Sequence, residues 1–335
     1  MKKLNWLATT LLIFTVGCWS HDVVAAENGQ THANLGYLDF LAGFEPPPGF
    51  YFRDDVIGIP SSSLNDRNGN QVKLGGAVPV NFRSDTIADI ATFYYVSPVQ
   101  VGGGNFATAV LVPYKNQDVS LSNQLTGTAR SNVTGLGDII IAPLLGWHFP
   151  QSNLQFTVGP TFYVPTGQYN PNDPVADNIG HNFLTVEPDL NITYLNKTGQ
   201  EISLAFAYDF NFANPATNYI GGQEFSINYA IAQHLNQAWT VGIAGYYYVQ
   251  VTDDTRNGNV VFGAADQLAG HPDIFNNGLG NRGEVFSIGP AVSYNYLNKF
   301  TVEFKWEHEI VAVNRQRGDQ FWGRVSLPLG IAGKG

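Results

Sequence analysis

Charged side chains recur at every second position of one segment near the C-terminus. The row consists of Glu303, Lys305, Glu307 and Glu309. In an extended strand, alternate residues project from the same face, so these four groups are expected to lie in line. Charged groups in a row can select what passes through a pore, or can pair with one another and brace a protein interior. The sequence leaves both interpretations open.

Further polar side chains fall on the same face of neighbouring segments. These candidate lumen-lining residues are Glu187, Asp189, Asp209, Glu224, Tyr246, Tyr248, Gln250 and Arg324. Unpaired charges are too costly for a packed apolar core, so this face must meet water or form a paired network. Tyrosines offer an apolar ring with a polar tip, which suits aromatic solutes. Simple packing beneath the long segment Thr252–Gly283 is the alternative for the two tyrosines.

Catalytic and metal-binding motifs are missing from the sequence. The histidines show neither an H-x-H nor an H-E-x-x-H spacing, and no G-x-S-x-G elbow is present. Asp66–Asn70 and Asp253–Asn259 resemble pieces of calcium loops, but they lack the closing glutamate and are typical of turns. We therefore expect no catalytic residue, no metal and no cofactor. A lipid hydrolase that uses His148 near the membrane interface is a minor alternative.

The composition excludes two large classes of protein. Only 13% of the 335 residues are charged, against about 25% in average soluble domains. The mean hydropathy is −0.09, and beyond the N-terminus no apolar run approaches the roughly 20 residues of a membrane helix. With 27 acidic and 17 basic residues and no basic cluster, nucleic-acid binding has no support.

A strict two-residue alternation of apolar and polar residues indicates long strands. It runs through six consecutive segments: Phe183–Leu195, Glu201–Phe212, Glu224–Gln233, Trp239–Val251, Glu284–Tyr296 and Phe300–Ile310. Each has about the ten residues that a tilted strand needs to cross a bilayer, whereas strands of soluble sheets are shorter. Bulky apolar side chains on one face and charges on the other predict a membrane barrel with a polar interior.

The loops alternate in length as the strands of a bacterial barrel require. Short links at Pro150–Asn153, Asn196–Gly199, Asn236–Gln237 and Leu297–Lys299 alternate with long ones at Thr166–Asn182, Ala213–Gly222 and Thr252–Gly283. Short turns face the periplasm and long loops face the exterior.

The remaining strands are expected at Phe50–Ile59, Lys73–Val96, Asn105–Tyr114, Gly137–Trp147, Leu154–Val164 and Gln320–Leu329. The predicted fold is an all-β transmembrane antiparallel up-and-down barrel of about 12 strands. The segment Lys73–Val96 is one long strand or is interrupted around Arg83–Asp85.

The N-terminus carries an export signal. Residues 1–26 combine two lysines, a short apolar stretch and a small-residue cleavage site at Val24–Ala26, which is typical of a signal peptide. Lipidation at Cys18 is the alternative. Residues 27–49 are a periplasmic or lumen-plugging segment, 50–329 the barrel and 330–335 a C-terminal tail. We expect the bacterial outer membrane as location, with membrane lipid and the barrel-assembly machinery as partners.

Several short motifs, in order, resemble the MetA-pathway of phenol degradation family. They include Gly135–Asp138, Pro165–Tyr169, Asn178–Gly180, Gly245–Asp254, Gly289–Pro290 and Asn314–Gly318. The motif residues at strand–loop junctions are Gly135, Gly137, Asp138, Pro165, Gly167, Asp253, Asn314, Arg315 and Gly318. The resemblance implies an outer-membrane barrel linked to uptake of aromatic or other hydrophobic compounds. Unlike most barrel chains, this one runs past Leu329 instead of ending on an aromatic residue.

The expected function is a passive outer-membrane channel for small hydrophobic or aromatic compounds. The alternatives are a closed structural or binding barrel and, less favoured, the outer-membrane lipid hydrolase named above.

Overall fold

Twelve antiparallel strands form the wall of the molecule in a computed structural model that describes residues 31–125, 127–171, 178–261 and 281–331. The predicted signal peptide, Cys18 and residues 332–335 of the predicted tail lie outside the described residues. The strands are β1 (Gly49–Leu64), β2 (Asn81–Val101), β3 (Gly104–Asn123), β4 (Gly127–Leu136 and Ile139–Phe149), β5 (Leu154–Val164), β6 (Thr185–Leu195), β7 (Gln200–Asn211), β8 (Glu224–His234), β9 (Trp239–Gln250), β10 (Glu284–Tyr296), β11 (Phe300–Val313) and β12 (Gln316–Ile331).

The sheet closes on itself through β1. This strand pairs with β12 on one side and with β2 on the other, so that Asp55 lies opposite both Arg324 and Ile90. Closure leaves every strand of the membrane-crossing wall paired on both sides, which a structure surrounded by lipid requires. None of the described residues forms a helix of a length and hydropathy that could cross a membrane.

The two-residue alternation sets which side chains face outward. On β11, Phe304 is 60% exposed, whereas the neighbouring Glu303 and Lys305 are buried inside. At the short turns, aromatic rings pack together on the outer surface, as in the pairs Trp147–Phe156 and Trp239–Tyr294. This is the position of the aromatic girdle of a membrane barrel. The predicted apolar exterior and polar interior are both present.

β1 and β3 extend further than predicted, to Leu64 and Asn123. β2 and β3 have 21 and 20 residues, and β2 continues without interruption through Arg83–Asp85. The predicted start of this strand at Lys73 is wrong, because Lys73–Leu74 pairs with Val78–Pro79 in a separate small hairpin. β12 continues to Ile331, two residues past the predicted end of the barrel.

β4 consists of two collinear parts separated at Gly137 and Asp138. The register on β3 shifts by one residue between them, since Tyr114 lies opposite Leu136 but Leu111 lies opposite Ile140. Such a bulge bends the strand and redirects the local side chains. The outer part pairs only with β3, whereas the inner part also pairs with β5.

The described part of the N-terminal segment, residues 31–48, runs through the barrel interior. Near its start, His32 contacts Asp138 and Thr185 at the loop end of the barrel. Midway, the Gly36 amide donates to Asn228 Oδ1 at 2.6 Å. Near its end, the Glu45 carbonyl lies 2.8 Å from His148 Nε2, beside the short turns. The segment therefore spans the lumen from the extracellular to the periplasmic end before β1 begins.

Candidate functional site in the barrel lumen

A buried ion cluster joins the N-terminal segment to the wall at mid-height. Arg324 Nε lies 2.6 Å from Asp55 Oδ1, and its Nη1 lies 2.9 Å from Asp39 Oδ1 and 3.2 Å from Glu303 Oε1. Its Nη2 also donates to the Tyr37 carbonyl at 2.6 Å. One guanidinium thus holds two carboxylates of the wall and one of the N-terminal segment, using the fork geometry that arginine provides.

Lys305 extends this cluster along the predicted charged row. Its Nζ lies 2.9 Å from Asp39 Oδ2 and 3.5 Å from Glu307 Oε1, donates to the Gly36 carbonyl, and sits over the Trp322 ring. Within the row, Lys305 pairs directly with the segment that fills the lumen, whereas Glu303 pairs with Arg324 and Glu307 with Lys305. The structure favours the interpretation of this row as a brace, one of the two that the sequence left open.

The fourth residue of the row and the two tyrosines form a second network near the extracellular end. Glu309 accepts hydrogen bonds from Tyr246 Oη and from the Gly318 amide, both at 2.7 Å. Tyr248 donates to Glu224 at 2.7 Å, and both tyrosine side chains are fully buried. They pack against Val285 of β10 and against Ala33 and Leu35 of the N-terminal segment, so they do not line an open path.

The opposite wall carries four buried acidic groups. Glu187 accepts from Tyr163 at 3.0 Å, Asp189 accepts from Thr161 at 2.5 Å, and Glu224 also accepts from Thr31. Neither carboxylate oxygen of Asp209 has a hydrogen-bond partner among the described residues. Acidic groups thus gather on this wall, whereas the cations Arg324 and Lys305 of the brace are bound to other carboxylates.

Between the N-terminal segment and the wall, the periplasmic half of the lumen holds a cavity of about 770 Å³. Its apolar lining includes Phe40, Phe44, Tyr94, Leu111 and Ile140. Its inner end reaches the ion cluster, and its outer end reaches the first residues of β1 and the last residues of β12. Apolar walls with a few polar groups at one end are typical of small-molecule sites.

Glu45 lies buried at the periplasmic end of the N-terminal segment, beside Gly146. Neither of its carboxylate oxygens has a hydrogen-bond partner among the described residues, and burial raises its pKa to about 7. A raised pKa means that the folded state binds the proton more tightly than the unfolded state does.

This pKa predicts a pH dependence of stability. Between pH 4.5 and pH 7 the folded barrel is expected to lose stability as Glu45 ionises, and above pH 7 this contribution should be constant. A Glu45→Gln variant should show a smaller fall across that window, measured as the heat-modification midpoint on gels. An unchanged pH profile in the variant would contradict the assignment.

The motif residues of the sequence meet at the extracellular rim. Asp138 Oδ1 accepts from the Gly167 amide at 2.8 Å, and its Oδ2 accepts from the His181 amide at 2.7 Å. A Cβ added to Gly167 would lie 2.7 Å from Gly180 Cα and 2.8 Å from the Gly137 carbonyl carbon. The glycines thus allow the loop backbone to pack directly on the bulge of β4.

The remaining junction residues also tie loops to the rim. Arg315 donates to Tyr248 Oη at 2.7 Å, and Asn314 donates to the Arg282 carbonyl at 2.9 Å. Arg282 in turn pairs with Asp253 at 2.7 Å. Gln168 lies against Gly135, and Pro165 directly follows β5.

The two calcium-like fragments are turns and anchors in the structure. Asp66 Oδ1 accepts the amides of Asn68 and Asn70, which closes a local turn. The carboxylate of Asp254 accepts from Tyr219, Gly222, Gln250 and Asn281. Burial raises the pKa of Asp254, and these hydrogen bonds oppose that effect. Both fragments therefore use their acidic groups to hold backbone and side-chain donors.

One trio of side chains has the donor chemistry of a metal site, although the sequence spacing did not indicate it. His32, Asp138 and His181 each offer one ligand atom, and these atoms lie within 4.8 Å of one another. His148, the residue on which a hydrolase would depend, instead meets a backbone carbonyl and the edge of the Phe44 ring.

Sequence reasoning missed several residues of the brace. Asp39 and Tyr37 lie in the irregular N-terminal segment, where no periodicity marks them. Asp55 could have been found, because it alternates with Arg53 and Ile57 on the inner face of β1.

A closed, 12-stranded barrel with an apolar exterior is a transmembrane barrel of the bacterial outer-membrane type. The family model described as "Putative MetA-pathway of phenol degradation" matches residues 62–325, and the chain belongs to this family. The chain is accordingly an outer-membrane protein, and its family and fold are not those of an enzyme.

The solved structures that resemble the chain are outer-membrane barrels. An outer membrane channel from Pseudomonas putida F1 is 12% identical, with a TM-score of 0.69 over 86% of this chain and 98% of that one. The transport unit of the autotransporter AIDA-I from Escherichia coli is 9% identical, with a TM-score of 0.46 over 87% and 93% of the two chains. No curated protein sequence matches the chain.

Proposed function

We propose that this protein is a passive outer-membrane channel that takes up small hydrophobic or aromatic molecules. The observation that carries the proposal is the apolar cavity in the periplasmic half of the lumen. Its volume of about 770 Å³ exceeds what one substituted benzene ring needs, and its lining is aromatic and aliphatic. The family description, with its reference to phenol degradation, supports the same class of solute.

The N-terminal segment controls passage in this proposal. It occupies the lumen between the cavity and the extracellular loops, and the ion cluster around Arg324 holds it at mid-height. A solute that enters from outside must therefore move this segment or slide along it. The cavity then receives the solute on the periplasmic side, where an apolar molecule leaves water for apolar surface.

The test is solute entry into vesicles that contain the purified full-length mature barrel. The vesicles carry lipopolysaccharide in the outer leaflet, because small aromatics cross pure phospholipid too quickly to measure. Toluene, an alkane and a fatty acid are expected to enter faster than into empty vesicles, with toluene accelerated most. A neutral sugar of similar size should gain little.

A cavity-filling variant ties the result to the proposed site. Ala142 lines the cavity, so Ala142→Trp is expected to return toluene entry to the rate of empty vesicles. The matched control is Gly58→Trp, because a side chain at Gly58 meets nothing within 4 Å and points away from the lumen. Equal entry through both variants would exclude the cavity as the path.

A barrel kept closed by its N-terminal segment is the second candidate function. The observation that favours it is the brace itself, which pairs Arg324 and Lys305 with carboxylates from both the wall and the segment. No acceleration for any solute, together with toluene binding that Ala142→Trp abolishes, would favour this binding barrel over the channel.

A further inference from the structure

Where the N-terminal segment meets the extracellular rim, three side chains converge from distant parts of the chain. His32 belongs to the segment, Asp138 to the bulge of β4 and His181 to the loop that precedes β6. All three are buried, and their ligand atoms lie within 4.8 Å of one another. This place is separate from the apolar cavity on which the proposed function rests.

We propose that His32, Asp138 and His181 bind one divalent transition-metal ion of the zinc type. Two imidazoles and one carboxylate are a donor set that such ions prefer. Tetrahedral zinc, with bonds of about 2.0–2.2 Å, needs donor atoms about 3.3 Å apart. His32 Nε2 and Asp138 Oδ2 are already 3.1 Å apart, and the ligand atom of His181 lies within 4.8 Å of both.

The hydrogen bonds around His32 leave the nitrogen facing Asp138 available as a ligand. Thr185 donates its hydroxyl hydrogen to Asn211 Oδ1 at 2.6 Å, so its oxygen accepts the Nδ1 hydrogen of His32 at 2.7 Å. Neutral His32 then presents the lone pair of Nε2 to the Asp138 carboxylate. Two lone pairs that face each other require a cation between them or a proton on the imidazole.

His181 supplies the second, independent observation. Its side chain is more than nine-tenths buried, yet Nδ1 has no hydrogen-bond partner among the described residues. The ring lies 4.3 Å from that of His32, centroid to centroid. A buried polar atom without a partner is costly, and a metal ion shared with His32 and Asp138 would satisfy it.

Binding here would fasten the start of the N-terminal segment to the rim. Of the three ligands, the segment contributes His32. The other two, Asp138 and His181, are already joined by the hydrogen bond from the His181 amide to Asp138. A metal ion would thus act as a clip between the segment and the barrel wall. Ligands bound only by the folded state stabilise it, so the clip should raise the stability of the full chain.

The test measures zinc binding by the full-length mature barrel in detergent after removal of metal by chelation. We expect one equivalent of zinc by calorimetry, and a tetrahedral absorption spectrum when cobalt replaces it. His181→Ala should weaken zinc binding by at least the roughly 10–100-fold that follows loss of a ligand's hydrogen-bond partner. His181 donates its backbone amide to Asp138, so this variant retains the loop anchor.

The matched control is His308→Ala. His308 also pairs with an aspartate, Asp319, at 2.8 Å, but it lies on the exposed outer surface and belongs to no trio of ligands within the described part of the chain. Zinc should bind this variant as it binds the unaltered protein. Heat-modifiable gel migration verifies that each variant is folded. Less than one equivalent in the unaltered barrel, or unchanged affinity in His181→Ala, would overturn the proposal.

Discussion

Replacing Arg324 by Met is expected to lower the free energy of unfolding of the barrel by about 3–5 kcal/mol, the usual loss when one partner of a buried ion pair is removed. The guanidinium is buried and holds Asp39, Asp55 and Glu303 at 2.6–3.2 Å. Methionine fills similar space but leaves these carboxylates with fewer partners. Urea unfolding in lipid vesicles and the heat-modification midpoint on gels measure the loss.

The same substitution should also release the N-terminal segment from the wall. Asp39 would lose the guanidinium and keep its ion pair with Lys305, so protease sites in residues 31–48 should become accessible in the folded barrel. Arg130→Met is the matched control, because Arg130 pairs with Asp118 on the exposed part of β3 and β4 and its loss should change neither measurement. A segment as protected in Arg324→Met as in the unaltered protein would refute its role as the anchor.

Replacing Gly167 by Val is expected to have the second largest effect, a destabilisation of about 1–3 kcal/mol or more from overpacking. The new Cβ would lie within 2.9 Å of backbone atoms of Gly180, Gly137 and Asp138, none of which can rotate away. The loop would have to leave the bulge, breaking the 2.8 Å bond from the Gly167 amide to Asp138.

Limited proteolysis of the loop that follows Val164 measures this change, together with the unfolding free energy. Gly323→Val is the control, since its Cβ would meet only the Phe304 ring at an ordinary 3.6 Å on the outer face. Equal stability of the two variants would show that the rim tolerates the extra bulk, against the expectation.

The membrane-crossing wall could be predicted because the different surroundings of its two faces leave a periodic pattern in the sequence. Lipid on one side and a polar lumen on the other impose alternation, so β5 and β10 have the predicted ends. The outer part of β3, beyond the predicted end at Tyr114, was missed because both of its faces meet water there. Without an apolar side, a strand keeps its hydrogen bonds but loses the alternating pattern.

The contents of the lumen could be predicted only in part, because they depend on contacts between residues far apart in the chain. The charged row on β11 was visible, but its partner Asp39 lies in a segment without regular structure. The trio around Asp138 joins residues separated by 106 and 43 positions, so no local spacing reveals it. Alternation predicts which face of a strand a side chain occupies. The position of an irregular segment inside the lumen depends instead on contacts between distant residues, which leave no periodic pattern.

The outer part of β4 gives the rim an unequal height. Gly127–Leu136 pairs with β3 alone, and at about 3.3 Å per residue it rises roughly 30 Å above the bulge. Among the described residues, no strand pairs with the other flank of this ribbon, so this flank is a sheet edge. Its residues are mostly small and polar, with Arg130 paired to Asp118, and such a flank discourages stacking between neighbouring barrels.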